Sequence, residues 1–133
     1  MIGRQPSILI TDDDRNFREA IRDVLEPHGF RTLLARDGEE ALSILRVAPI
    51  HIVLTDMHMP RLTGLEMIRR VHQMRGLLPC ILMSAEADDT LVREAQEAQA
   101  FTVLPKPISG RAILNTVGFA LRRNYGWRCL PQS

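Results

Sequence analysis

The sequence predicts an α/β domain built on a five-stranded parallel sheet. Three observations carry that expectation: five short apolar runs, segments of helical period between them, and cap or turn residues at the junctions. Each run is four or five residues long, with apolar side chains at adjacent rather than alternating positions. That is the pattern of strands buried on both faces of a parallel sheet. A βα unit repeated five times gives a doubly wound sheet with right-handed crossovers.

The first run is Ser7-Ile-Leu-Ile-Thr11; Phe17, Ala20, Ile21, Val24 and Leu25 then fall on one helix face. The second, Arg31-Thr-Leu-Leu-Ala35, precedes Ala41, Ile44, Leu45 and Ala48 at the same spacing. Asp37-Gly-Glu-Glu40 opens that helix as a capping box, an oxygen-bearing cap three residues before a glutamate. The third run is His51-Ile-Val-Leu-Thr55, and Thr63-Gly-Leu-Glu66 is a second capping box leading into Leu65, Ile68 and Val71. Cys80-Ile-Leu-Met83 is the fourth, followed more weakly by Leu91, Ala95 and Ala98. Phe101-Thr-Val-Leu104 is the fifth, and Ile113, Val117, Ala120 and Leu121 close the series. Gly29, Gly76 and Pro79 punctuate helix-to-strand connections.

Composition narrows the function classes. A chain of 133 residues with 45% hydrophobic and 25% charged side chains is an ordinary single globular domain. The reading divides it into an N-terminal extension (1–6), the domain proper (7–123) and a tail or linker start (124–133). A net charge of +1 argues against a nucleic-acid binder. No apolar run approaches the ~20 residues of a membrane span, and the N-terminus lacks a signal peptide's apolar stretch. Cys80 and Cys129 show no CxxC spacing, and no zinc pattern is present. The expected compartment is the reducing cytoplasm.

In open α/β sheets ligands bind outside the carboxyl ends of the strands, so the residues that end each run matter most. The first run ends in Asp12-Asp13-Asp14, the third in Asp56, the fourth in Ser84-Ala85-Glu86 and the fifth in Pro105-Lys106-Pro107. One aspartate before a helix is usually a cap, but three in a row exceed what a cap needs. Clustered carboxylates repel unless a proton or a cation intervenes, and oxygen ligands favour a hard ion such as Mg²⁺. Asp56 alone is equally a turn residue, and an isolated Ser84 is most often a local hydrogen-bonder.

Lys106 is the one lysine among 17 basic residues, the other 16 being arginine. It sits between two prolines, which limit the local backbone. Its ammonium is a compact charge suited to gripping a phosphate or carboxylate oxygen. Together with the aspartates and Ser84 it makes an anion-plus-metal site at one sheet edge.

These residues resemble the receiver domain of bacterial two-component response regulators, from about Ser7 to Arg123. The resemblance rests on Ile8-Leu-Ile-Thr-Asp-Asp-Asp14, Asp37-Gly-Glu-Glu-Ala-Leu42, Leu54-Thr-Asp-Met-His-Met-Pro60 with Gly64, Ser84-Ala85 and Lys106-Pro107. It implies strand order 2-1-3-4-5 and Asp56 as phosphate acceptor. It implies Mg²⁺ held by Asp12, Asp13, Asp56 and the His58 backbone carbonyl, with Asp14 left as a helix cap. Ser84 would turn its hydroxyl toward the phosphoryl group. Lys106 would pair first with Asp56 and then with a phosphoryl oxygen, across a cis Lys106–Pro107 bond. The donor would be a histidine kinase, a phosphotransfer protein or a small acyl phosphate. Such a domain regulates, and catalyses only its own phosphorylation and dephosphorylation.

The sequence departs from the family at three points. Val103 stands where many receivers carry an aromatic switch residue, with Phe101 two positions earlier. Ala98-Gln-Ala100 lacks the usual central glycine. His58 and Glu86 fill the two variable positions that influence phosphoryl lifetime in the family. A partner or dimer surface is expected on the face of the fourth helix, fifth strand and fifth helix; Leu114, Gly118 and Phe119 extend the apolar face of the fifth helix, as such a surface or as a broad core face. Tyr125 and Trp127 would dock on the domain or on a partner. Two other readings compete: a haloacid-dehalogenase-type phosphatase, whose Asp-x-Asp start Asp12-Asp13-Asp14 satisfies, and a binding module that is never phosphorylated.

Overall fold

The strands β1 (Ser7–Thr11), β2 (Arg31–Ala35), β3 (Ile52–Asp56), β4 (Cys80–Ser84) and β5 (Thr102–Pro105) form one parallel sheet. Its order is β2-β1-β3-β4-β5. The helices are α1 (Arg15–Leu25), α2 (Gly38–Val47), α3 (Gly64–Met74), α4 (Asp89–Glu97) and α5 (Gly110–Tyr125). A short 3-10 turn, Glu26–His28, follows α1. This computed structural model describes residues 5–127.

The adjacent apolar residues of each strand feed two separate cores, because successive side chains point to opposite faces. Leu9, Val53 and Leu82 pack with Leu42, Leu65, Ile68, Leu91 and Ala95 of α2, α3 and α4. Ile8, Ile10, Ile52, Leu54, Ile81 and Met83 pack with Ile21, Leu25, Ile113, Val117 and Leu121 of α1 and α5. Burying each of these large side chains contributes roughly 1.5–3 kcal/mol. On α1 the expected face holds at Ile21 and Leu25, but Ala20 is exposed.

The caps refine the element boundaries. Asp14 caps α1 by accepting from the N–H groups of Asn16 and Phe17. Thr63 and Glu66 form a complete capping box on α3. The box expected on α2 is only half formed. Asp37 accepts from Glu40 N–H, yet the Glu40 carboxylate reaches past Asp37 to Arg36 N–H at 2.8 Å. Asp88 and Ser109 cap α4 and α5, which the sequence reading did not single out. Without a glycine after α4, Gln99 itself takes the left-handed conformation, φ 63°.

Helix α5 runs two residues past Arg123. Tyr125 donates its hydroxyl to the His51 carbonyl at 2.7 Å. Trp127 stacks on Tyr125 and meets the His51 ring edge-on, with 5.1 Å between centroids in both pairs. These two aromatics therefore dock on the domain, at the amino end of β3. Cys129 lies outside the described residues. No helix among them is long and apolar enough to cross a membrane.

Candidate functional site

The sheet delivers its chemistry to one edge through ladder bonds that continue past the strands. Asp12 follows β1 and donates its N–H to Ala35 O at 3.1 Å. Asp56 is the last residue of β3, and Met57 N–H beyond it bonds Met83 O at 2.8 Å. Ser84 ends β4, and Lys106 after β5 donates its N–H to Ser84 O at 2.8 Å. Asp12, Asp56, Ser84 and Lys106 thus have backbone positions fixed by the sheet rather than by free loops.

Their side chains converge. Lys106 Nζ lies 2.9 Å from Asp56 Oδ1 and 3.0 Å from Asp12 Oδ2. The other Asp12 oxygen accepts from Asp14 N–H at 2.9 Å, and Arg18 Nη1 donates to the Asp12 carbonyl at 2.6 Å. Carboxylate oxygens of Asp12, Asp13 and Asp56 lie within 4.8 Å of one another. Asp12 and Asp56 are buried and Asp13 is exposed, so the cluster opens to solvent on one side. The Lys106–Pro107 bond is cis.

Burial drives the Asp12 carboxyl above its ordinary range, and the Asp56 charge adds to that rise; Asp14 N–H and Lys106 oppose it. Burial alone would lower the Lys106 ammonium, but its hydrogen bonds to Asp56 and Asp12 outweigh that and raise it. The lysine is therefore a fixed positive charge among carboxylates. Cys80, by contrast, is buried and its thiol is pushed up to about 12, which leaves it unreactive.

Around this centre, Ser84 is fully buried and its Oγ accepts from Glu86 N–H at 3.0 Å. His58 Nε2 reaches Glu86 Oε1 at 3.6 Å across the mouth. Arg61, at φ 69°, bonds Asp37 Oδ2 at 2.9 Å and ties the loop after β3 to the loop after β2. Gly64 packs against the end of β3 so closely that a Cβ there would lie 2.4 Å from Asp56 O. Val103 packs toward the α4 side, whereas Phe101 packs on the opposite core and meets Phe119 at 5.6 Å. The sequence reading missed Arg18 and Arg61 altogether, and took Phe17 only as helix core. Phe17 in fact places its ring 4.0 Å from Lys106 Nζ.

A cluster of oxygen donors beside a fixed ammonium can bind a cation and an anion side by side. The response regulator receiver domain family matches residues 8–118 of the chain. The chain belongs to that family. Response regulator RR06 of Streptococcus pneumoniae serotype 2 is 31% identical over 119 residues, covering 90% of this chain and 54% of that protein. Response regulator MprA of Mycolicibacterium vanbaalenii is 35% identical over 116 residues, covering 87% and 50%. The chain thus spans about half the length of the curated relatives it matches. Among solved structures, the chemotaxis protein CheY4 of Vibrio cholerae superposes with a TM-score of 0.86 at 25% identity, covering 89% of this chain and all of that one. A response regulator receiver domain from Clostridium thermocellum gives 0.84 at 27% identity, covering 90% and 97%. As a receiver domain, the molecule is a phosphoacceptor of two-component signalling.

Proposed function

We propose that Asp56 of this receiver domain takes the phosphoryl group, from a histidine kinase, a phosphotransfer protein or a small acyl phosphate. The observation that carries this is the Lys106 ammonium, which bridges Asp56 and Asp12 at 2.9 and 3.0 Å. Oxygen donors within 4.8 Å of one another suit a hard dication, so Asp12, Asp13, Asp56 and the His58 carbonyl would hold Mg²⁺. Bound there, it supplies positive charge against the incoming phosphoryl oxygens.

Asp56 Oδ1 is engaged by Lys106, while Oδ2 accepts no hydrogen bond among the described residues. Oδ2 is the attacking atom. Its bond to phosphorus forms as the P–N bond to a donor imidazole breaks, the electron pair leaving with nitrogen. With an acyl phosphate the P–O bond breaks and a carboxylate leaves. Lys106 then shifts from the Asp56 oxygen to a phosphoryl oxygen, and Ser84 turns its hydroxyl toward the same group. Attack of water on phosphorus returns the Asp56 carboxylate and inorganic phosphate. These are the only reactions the domain promotes. Val103, in place of the usual aromatic, transmits the Ser84 movement through the α4 core against which it packs. With a kinase as donor the domain works in the cytoplasm, where ATP is the phosphoryl source.

Signal output is assigned to the face of α4, β5 and α5, in a self-contact or with an output partner. Val92 and Phe119 are exposed there, and Phe101, Leu104 and Phe119 line a groove beside Arg123. The domain proper, expected at 7–123, is better assigned from residue 7 through α5 and the docked Tyr125 and Trp127, with the tail beyond them. The phosphatase reading is disfavoured by Asp14, whose carboxylate is committed to capping α1.

The test is incubation with Mg²⁺ and acetyl phosphate followed by intact mass. One base-labile phosphoryl adduct is expected, absent from Asp56→Asn. An adduct undiminished in Asp56→Asn overturns the assignment, and loss in an Asp12 variant alone favours the phosphatase.

A further inference from the structure

Lys106 has a third partner that is not an anion. Phe17 is the third residue of α1, and its N–H points at the Asp14 cap. Helical side chains lean back over the turn that precedes them, so its ring covers the start of α1. The Lys106 ammonium stands over that ring, 4.0 Å from the centroid. That is well inside the ~6 Å within which a ring quadrupole attracts a cation. The Lys106 side chain is only 21% exposed, and the attraction strengthens as water is removed.

This contact differs in kind from the other two. Asp12 and Asp56 are the residues whose oxygens Mg²⁺ and phosphorus would claim, so both carboxylate contacts of Lys106 weaken during the reaction. A neutral ring binds neither group. We propose that Phe17 is a positioning residue, which holds the Lys106 ammonium in place while its anionic partners are exchanged. This rests on the phosphoacceptor reading above.

The single lysine makes the proposal measurable without the reaction. Incorporation of ¹³C-lysine gives one ε-methylene signal, from Lys106, whose relaxation reports how firmly the ammonium is held. The comparison uses the full chain as wild type, Phe17→Tyr, Phe17→Leu and Phe17→pentafluorophenylalanine. The last keeps the ring's shape and removes its attraction for cations. Wild type and Phe17→Tyr should keep the ε-methylene ordered at saturating Mg²⁺. Phe17→Leu and the fluorinated variant should lose that order, bind Mg²⁺ as wild type does, and form the acetyl phosphate adduct about fivefold more slowly. Unchanged order and rate in the fluorinated variant overturns the proposal. Equal losses in Phe17→Tyr and Phe17→Leu also overturn it, since that marks a packing role. An adduct surviving Asp56→Asn would overturn the acceptor reading instead, and the relaxation arms need no phosphoryl donor.

Discussion

His58 and Glu86 meet 3.6 Å apart, joining the loop after β3 to the loop after β4 beside Asp56 and Ser84. Each lies two residues beyond the group it flanks. The two side chains therefore form one contact rather than standing separately.

We expect that pair, at the rim two residues beyond Asp56 and Ser84, to hinder the approach of water to a phosphoryl group on Asp56. Excluding water from such a site suppresses hydrolysis. Glu86→Ala should therefore shorten the adduct's lifetime, by about two- to fourfold, with the rate of formation little changed. Decay of the adduct by intact mass, after removal of the donor, checks this. A lifetime equal to or longer than wild type contradicts it.

Asp12 gives a prediction with a definite sign. Its carboxyl is raised above the ordinary 3.8, first by burial. Such a group stabilises the fold below that ordinary value and withdraws the contribution as pH rises through the folded value. At neutral pH its ionised form is a cost, and asparagine mimics the neutral form. Without Mg²⁺, Asp12→Asn should gain about 1 kcal/mol, seen as a Tm higher by roughly 3 °C. That gain should shrink as pH falls toward the ordinary carboxylate range. Mg²⁺ should raise the wild-type Tm by mass action and leave the variant's nearly unchanged. Thermal melts across pH and Mg²⁺ concentration test all three statements.

Gln99 pays for a left-handed conformation, φ 63°, at the end of α4. A side chain in that region costs about 1–2 kcal/mol that glycine avoids, partly offset by the greater freedom of glycine in the unfolded chain. Gln99→Gly should raise the midpoint of urea unfolding, by about 0.5–1 kcal/mol in net stability, with an unchanged slope. A lowered midpoint would show that Gln99 makes contacts worth more than its backbone strain.

Much of this was legible in sequence because it depends on local pattern. Adjacent apolar pairs such as Leu9–Ile10 and Val53–Leu54 mark two-sided burial, and both members of each pair are fully buried. Parallel strands deliver their carboxyl ends to one edge, so Asp12, Asp56, Ser84 and Lys106 could be gathered there before any geometry was known. What was hidden depends on relations between elements distant in sequence. The Phe17 ring looks like core until β5 brings Lys106 over it. Arg61 and Asp37 are 24 positions apart, and nothing in either loop announces their bond. The half-formed box on α2 shows the same limit at short range: the pattern places Glu40 correctly, but not the N–H it selects. Asp88 and Ser109 offer cap oxygens in the sequence, but α4 is too weakly patterned, and the core face of α5 too remote from its first turn, to mark them as caps.

The lone lysine has a practical corollary for handling the protein. Amine-coupling reagents, used to tether proteins to surfaces or to attach dyes, have two kinds of target here: the N-terminus and Lys106. Attachment at Lys106 removes the charge that bridges Asp12 and Asp56. A sensor surface made by random amine coupling would thus hold two populations, one competent and one disabled. Coupling near neutral pH favours the less basic N-terminal amine, and only that population should report phosphoryl-dependent binding.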